Sequence, residues 1–288
     1  MIRAILIHKV GAGDGEHTRE ELETALRDRG HEPRYVPMES IETVDLAAEA
    51  ANLVVVAGGD GTVSTLLPRL RRLGLPVALM PLGTANNVAT SLGIADPYDA
   101  LASDAVTGPF DLGLCRVDGV ERLFSEAAGL GAMAAMLRVE EDGASGGDKI
   151  ERGRRSLADV LGEAEPFVLR LETDDGATEG AFLAVEMLNT RIAGPSLTLA
   201  PDADSGDGLL DVLCIRADDR VAFVEWIQSD HKSPAPGLRS RTSRLRFEWD
   251  GRTDFRIDDH LVEESSEPVT VAIALTGRPL QVRRPLSR

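Results

Sequence analysis

Cysteine is nearly absent: the 288 residues hold two, Cys115 and Cys214. They sit far apart in strand-like runs, 112–117 and 210–215. This excludes a disulfide framework and reads as buried thiols of a reducing compartment. Aromatics are 4% of the chain, so the core must be built from Leu, Val, Ala and Ile. No long apolar run exists; the longest nearly uncharged stretch, 127–137, is far shorter than the roughly 20 residues a spanning helix needs. The first eight residues lack the long apolar region and small-residue cleavage site of a signal peptide, so they read as a first strand, and a cytoplasmic protein is expected. A basic excess is also missing. The formal net charge of −17 excludes a nucleic-acid partner and weakens attraction to anionic lipid surfaces. With 43% hydrophobic and 27% charged residues, the chain suits two compact globular units.

The first hundred residues alternate strand and helix signals: strands at 2–7, 32–36, 53–57 and 77–80, helices at 18–29, 41–50 and 63–73. Such alternation predicts a parallel sheet covered on both faces, with ligands at the carboxyl ends of its strands. From about residue 110 the pattern turns to short period-two runs, at 112–117, 167–172, 181–188, 209–215, 244–249, 253–257 and 269–275. These predict an antiparallel β domain. The division expected is 1–109 and 110–288. Two polar interruptions, 140–155 and 229–241, separate the strands. The first reads as a glycine-containing loop entering a helix, either a solvated loop or a lid facing lipid.

Three loops follow strands of the first unit. In Gly58-Gly59-Asp60-Gly61-Thr62 an apolar strand runs into three glycines, one acid and one hydroxyl. Glycines let a bulky anion approach backbone N–H groups. A carboxylate there would repel phosphate unless a divalent cation lies between them or it positions a proton, so Asp60 points to phosphate chemistry. The second loop, Pro81-Leu82-Gly83-Thr84-Ala85-Asn86-Asn87, enters a helix, where Thr84 and Asn86 are suited to binding an anion or to capping. The third, Lys9-Val10-Gly11-Ala12-Gly13, offers Gly11, Gly13 and the point charge of Lys9.

These residues resemble the diacylglycerol kinase catalytic-domain family, which includes bacterial lipid kinases and sphingosine kinases. The family's GGDGT loop stands complete at 58–62, and its P-x-G-T-x-N segment at 81–86. Similarity continues through Phe110-Asp111-Leu112-Gly113, Ala128-Gly129-Leu130-Gly131 and the run from Leu199 to Val212, and so covers essentially the whole chain. The resemblance implies a nucleotide-binding α/β lobe, an antiparallel β-sandwich lobe, and ATP in the cleft with Mg2+ on its phosphates. Asp60 would then organise magnesium or polarise the transfer, with Thr62 and Thr84 on phosphate oxygens. Asp111 matches an acid that the family couples to the GGDGT loop. Asp207, with the backbone around Asp204 and Leu209, resembles a structural magnesium site of some bacterial members; a plain acidic turn is the other reading.

The chain departs from the family at three places. Relatives carry Asp-Gly-Glu near the C-terminus, where this chain has Asp258-Asp259-His260; Asp258, with or without His260, is the expected base for the acceptor hydroxyl. Asn87 replaces a frequent acid. The first loop keeps Gly13 of the family's Asn-Pro-x-x-Gly but not its asparagine. The function implied is an ATP-dependent kinase acting on a hydroxyl of diacylglycerol or a related lipid alcohol, in transient contact with a membrane surface, and a homodimer is compatible with exposed sheet edges. A nucleotide- or lipid-binding pseudokinase is the alternative from another class. An NAD kinase is disfavoured because 81–87 follows the lipid-kinase pattern.

Overall fold

The computed structural model describes residues 1–13, 15, 17–139, 147–229, 231 and 233–286. It contains two compact units, Met1–Phe110 with Pro279–Arg288, and Asp111–Arg278.

The first unit is an α/β layer structure. Strands β1 (Ile2–His8), β2 (His31–Pro37), β3 (Leu53–Gly58), β4 (Val77–Pro81) and β5 (Val106–Phe110) join the C-terminal strand Leu280–Arg284 in the order β2-β1-β3-β4-C-terminal strand-β5. All pairings are parallel except that of β5. Every residue of β3 is buried, as its unbroken Leu-Val-Val-Val-Ala-Gly sequence requires of a parallel strand covered on both faces. Helix α1 (Arg19–Asp28) starts at a capping box in which Thr18 and Glu21 bond each other's backbone. Helix α2 (Asp60–Leu70) buries Val63, Leu66, Leu67 and Leu70. The spacing of these residues puts one apolar stripe against the sheet. A short helix, α3 (Asn87–Ser91), follows β4.

Two expectations differ from the structure. Residues 41–50 form no α-helix; short 3-10 turns occur at Met38–Ser40 and Leu46–Ala48. Ile41, Thr43 and Val44 are β-branched, and Asp45 turns its carboxylate onto the Ala47 amide, which favours a local cap over a continuing helix. The final strand, carried with 110–288 in the sequence division, pairs with β4 and β5 in the first unit. A strand's own pattern does not say which sheet it joins.

The second unit is antiparallel throughout its described pairings. Its main strands are β6 (Gly113–Val117), β7 (Val120–Phe124), β8 (Ala127–Gly131), β9 (Phe167–Thr173), β10 (Gly176–Leu188), β11 (Ile192–Ala193), β12 (Leu197–Thr198), β13 (Leu210–Arg216), β14 (Leu238–Thr242), β15 (Arg244–Trp249), β16 (Phe255–Ile257), β17 (His260–Leu261) and β18 (Val269–Leu275). Their order is β17-β16-β8-β10-β9-β15-β18-β6-β7, with β13 bridging β10 and β14; β11 and β12 pair separately. β10 pairs with β9 through its first half and with β8 and β13 through its second, with the register shifting between Phe182 and Ala184. One core contains Phe124, Phe182, Phe247, Trp249 and Phe255. The other joins Leu183, Leu188 and Leu213 to Met133 of helix α4 (Ala132–Ala135), Leu157 and Leu161 of α5 (Gly147–Glu163), and Phe223 and Trp226 of α6 (Arg220–Ile227). Cys115 and Cys214 are free and buried, and burial pushes their thiols up to about 12 and about 11. Of the 140–155 interruption, residues 140–146 lie outside those described, and the helix begins at Gly147. Among the described residues no helix is long and apolar enough to cross a membrane.

Leu66 is fully buried where α2 meets the sheet. Leu66→Ala should cost about 2–5 kcal/mol of unfolding free energy through lost transfer and a residual cavity. A urea denaturation midpoint unchanged from wild type would contradict this packing.

Candidate functional site

At the carboxyl ends of β1, β3 and β4 the backbone of three loops converges. A Cβ on Gly83 would lie 2.5 Å from the Gly59 Cα, and one on Gly59 would lie 3.0 Å from the Gly83 Cα. These loops touch backbone to backbone, so only glycine fits at position 83 and the contact at Gly59 is tight. The first loop joins them: a Cβ on Gly13, whose φ is +61°, would lie 2.2 Å from the Leu82 carbonyl oxygen. Two bonds tie the loops to neighbouring strands, Leu82 N–H to the Gly58 carbonyl and Lys9 N–H to the Ala57 carbonyl, each 3.0 Å.

Gly59 caps α2 without a side chain, so the first turn of this helix presents backbone N–H groups and the positive end of its dipole. Gly58 packs on Thr62, where an added Cβ would come within 2.5 Å of Oγ1. Asp60 is half-buried in the first turn, and its Oδ1 accepts the Val88 N–H at 3.2 Å. Asn86 takes the left-handed conformation, φ 51°. Its side chain closes on Gly83 in both directions, accepting the Gly83 N–H at 2.9 Å and donating to the Gly83 carbonyl at 2.7 Å. The amide therefore shapes the loop. Thr84 is half-buried beside it, and Gly11 is exposed with φ +77°. Lys9 forms an ion pair with Glu39 at 2.9 Å on the surface. Sequence reasoning overlooked His8, which is buried at the end of β1 with Nδ1 3.2 Å from the Tyr35 hydroxyl. Burial holds its imidazole below the usual range.

The second unit contains a carboxylate centre of its own. Asp258 is buried with φ 47°. Its Oδ2 accepts the Ser125 N–H at 2.9 Å and the Ser125 hydroxyl at 3.2 Å, while Oδ1 accepts the N–H groups of Glu126 and Ala127 at 2.8 and 3.1 Å. A carboxylate offers about four lone-pair sites, so the four donors saturate it. Burial pushes its carboxyl upward and the three amides pull against that. Asp258 thereby fixes the start of β8 through residues 125–127. His260, two residues on, is exposed at the head of β17.

Behind Asp258 lies an ion pair that sequence reasoning missed. Arg256 donates to Glu186 Oε2 at 2.6 Å and to the Asp258 carbonyl at 3.0 Å. Both side chains are almost fully enclosed. Gly129 makes the room, since a Cβ there would lie 2.1 Å from Glu186 Oε1. Burial pushes the Glu186 carboxyl up to about 7, with Arg256 opposing. The signal for this pair was a lone acid in the apolar run 182–188 and a lone arginine in 255–257.

Asp111 is bound within its own unit: its N–H donates to the Ser205 carbonyl at 2.5 Å, and its Oδ2 accepts the Gly208 N–H at 3.0 Å. Burial, and then Asp207 and Asp204, push its carboxyl up against the Gly208 bond. The expected magnesium turn is organised differently. Asp207 accepts the Leu209 N–H on Oδ1 at 3.0 Å and the Arg241 guanidinium on Oδ2, while Asp204 Oδ1 accepts the Gly206 N–H at 3.1 Å. Among the described residues no three acids, histidines or cysteines are grouped to hold a metal. Asp207, the one side-chain carboxylate expected of the metal turn, thus has both oxygens engaged, one by the Leu209 N–H and one by Arg241, which disfavours a metal in this arrangement.

The family model for the diacylglycerol kinase catalytic domain matches residues 3–114, and that for the YegS C-terminal NAD kinase beta sandwich-like domain matches residues 155–232. A "probable lipid kinase YegS-like" of Stenotrophomonas maltophilia is 32% identical over 290 residues, spanning 96% of this chain and 85% of the relative. A diacylglycerol kinase of Mycobacterium tuberculosis is 28% identical over 258 residues, spanning 83% and 78%. The crystal structure of a diacylglycerol kinase from Bacillus anthracis superposes with a TM-score of 0.70 at 19% identity, over 97% of this chain and 96% of that one.

Two outcomes test this geometry. Gly83→Ala should lower the melting temperature, whereas Gly162→Ala in α5, where a Cβ meets nothing within 4 Å, should leave it unchanged or raise it slightly through helix propensity; equal effects would contradict the loop contact. Glu186 has its folded-state pKa above the ordinary 4.5, so its contribution to stability is full below pH 4.5 and is lost as pH rises toward 7. Denaturant unfolding across that window should show wild type losing stability relative to Glu186→Gln, and parallel profiles would contradict the assignment.

Proposed function

The chain belongs to the diacylglycerol kinase catalytic-domain family of lipid kinases, and on that premise we propose that it transfers the γ-phosphoryl group of ATP to a hydroxyl of diacylglycerol or a related lipid alcohol. It is a phosphotransferase with an alcohol acceptor. The observation that carries the finer reading is the backbone contact of Gly59 with Gly83. Phosphoryl transfer asks a protein mainly for positioning and charge stabilisation, and this contact sets the uncapped first turn of α2, with its backbone N–H groups and positive dipole end, beside the second turn.

In this reading the donor's phosphates lie along residues 58–62 and 83–86. The first-turn amides of α2 and the hydroxyls of Thr62 and Thr84 bind phosphate oxygens. Asp60 is the acid suited to hold Mg2+, which when bound would neutralise charge on the transferring phosphates. Gly11, Gly13 and Lys9 border the same loops, and Lys9 would have to leave Glu39 to meet a phosphate. On the acceptor side, Asp258 acts through the segment it holds. His260, whose ring is exposed, is the group in that turn able to take the hydroxyl proton.

A nucleotide-binding protein without transfer activity is the second reading, favoured by the saturation of Asp258 and by histidine in place of the family's glutamate. Magnesium-dependent transfer of label from γ-labelled ATP into diacylglycerol and sphingoid alcohols in mixed micelles, with NAD as control acceptor, separates the two. We expect labelled lipid that falls by about 100-fold or more in Asp60→Ala, the scale of a lost charge-stabilising group. His260→Gln should lower the rate without lowering the melting temperature, whereas Asp258→Asn should lower both. Bound ATP with no labelled lipid would favour the second reading, and labelled NADP would overturn the choice of acceptor.

A further inference from the structure

The acidic turn of the second unit brings Asp202, Asp204, Asp207 and Asp211 together with the Asp111 carboxylate that binds the Gly208 N–H. So many acids in ten residues call for a counter-cation. Arg241 stands directly across from Asp211 in the β13–β14 register. Its Nη2 pairs with Asp207 Oδ2, and its Nε lies 3.6 Å from Asp211 Oδ2. One guanidinium therefore spans two carboxylates four residues apart, closing the turn from Asp207 onto the first residues of β13. Arg239, two residues earlier on the same strand, donates to the Leu199 carbonyl at 3.3 Å and adds positive charge toward Asp202 and Asp211. A guanidinium is permanently charged and delivers its donors in a fixed plane. It can thus join two carboxylates without the six or more oxygen ligands a divalent cation would demand.

We infer that Arg241 is a built-in replacement for the structural divalent cation of this turn, so that the second unit keeps its acidic turn closed without bound metal. The inference is independent of the kinase reading, since any metal needed with a nucleotide would act elsewhere, and its readouts are stability and metal content.

The test uses the full chain. Purified protein should contain no tightly held divalent ion by elemental analysis, and its melting temperature should be the same in excess EDTA as in excess Mg2+ or Ca2+. Arg241→Gln should lower the melting temperature in EDTA by about 2–4 °C, the scale of one half-exposed charged pair, and Mg2+ or Ca2+ should restore part of the loss. Arg241→Lys should fall between the two. One divalent ion per chain in the wild type, or a wild-type melting temperature that drops in EDTA, would overturn the inference whether or not the variants fold. An Arg241→Gln melting temperature equal to wild type in EDTA would also overturn it.

Discussion

The loops at the carboxyl ends of β1, β3 and β4 rest on one steric fact: the Gly59 and Gly83 backbones approach so closely that Gly83 admits no side chain and Gly59 has barely room for one. β3 and β4 are adjacent parallel strands, so their carboxyl ends emerge side by side. The contact follows only because both turns are bare. Beside it α2 begins after Gly59 without a side-chain cap, and Asn86 folds back on Gly83 from a left-handed conformation. Both residue types suit their places: glycine is tolerated at an N-cap, and asparagine enters the left-handed region more readily than other side-chain-bearing residues.

The second unit is governed by the opposite problem, how an acidic chain of net charge −17 keeps carboxylates inside. Two solutions occur. Asp258 is satisfied by backbone amides and a hydroxyl, and Glu186 by the buried Arg256, while nearer the surface Arg241 meets Asp207 and Asp211. A carboxylate bonded to four donors is a strong positioning device, while burial still pushes its carboxyl upward against the three amides. This enclosure separates Asp258, which organises residues 125–127, from His260, which faces outward.

Much of this was legible in the sequence because it was local. The strand-helix alternation, the unbroken apolar run of β3, the period-two strands β15 and β18, and the glycine turn all declare themselves within a few residues. What was not legible depends on partners far along the chain. The donors to Asp258 lie more than 130 residues away and are mostly backbone amides, which carry no residue signature. Arg241 lies in a stretch that reads as a polar interruption, yet β14 pairs it with Asp211. Leu238–Thr242 is exposed at its first four residues and has no apolar face to announce a strand. Asp207 was readable as a metal-type acid, but the guanidinium that pairs with it was not.

The central claim is that the bare glycine turns of the first unit form a phosphate seat. The most direct measurement is a titration of isotopically labelled protein with magnesium and a non-hydrolysable ATP analogue, followed through backbone amide chemical shifts. The account predicts that the largest changes fall on Gly59, Gly61, Thr62, Gly83 and Thr84 and saturate together. Saturable binding that leaves those amides unmoved and shifts others would contradict it.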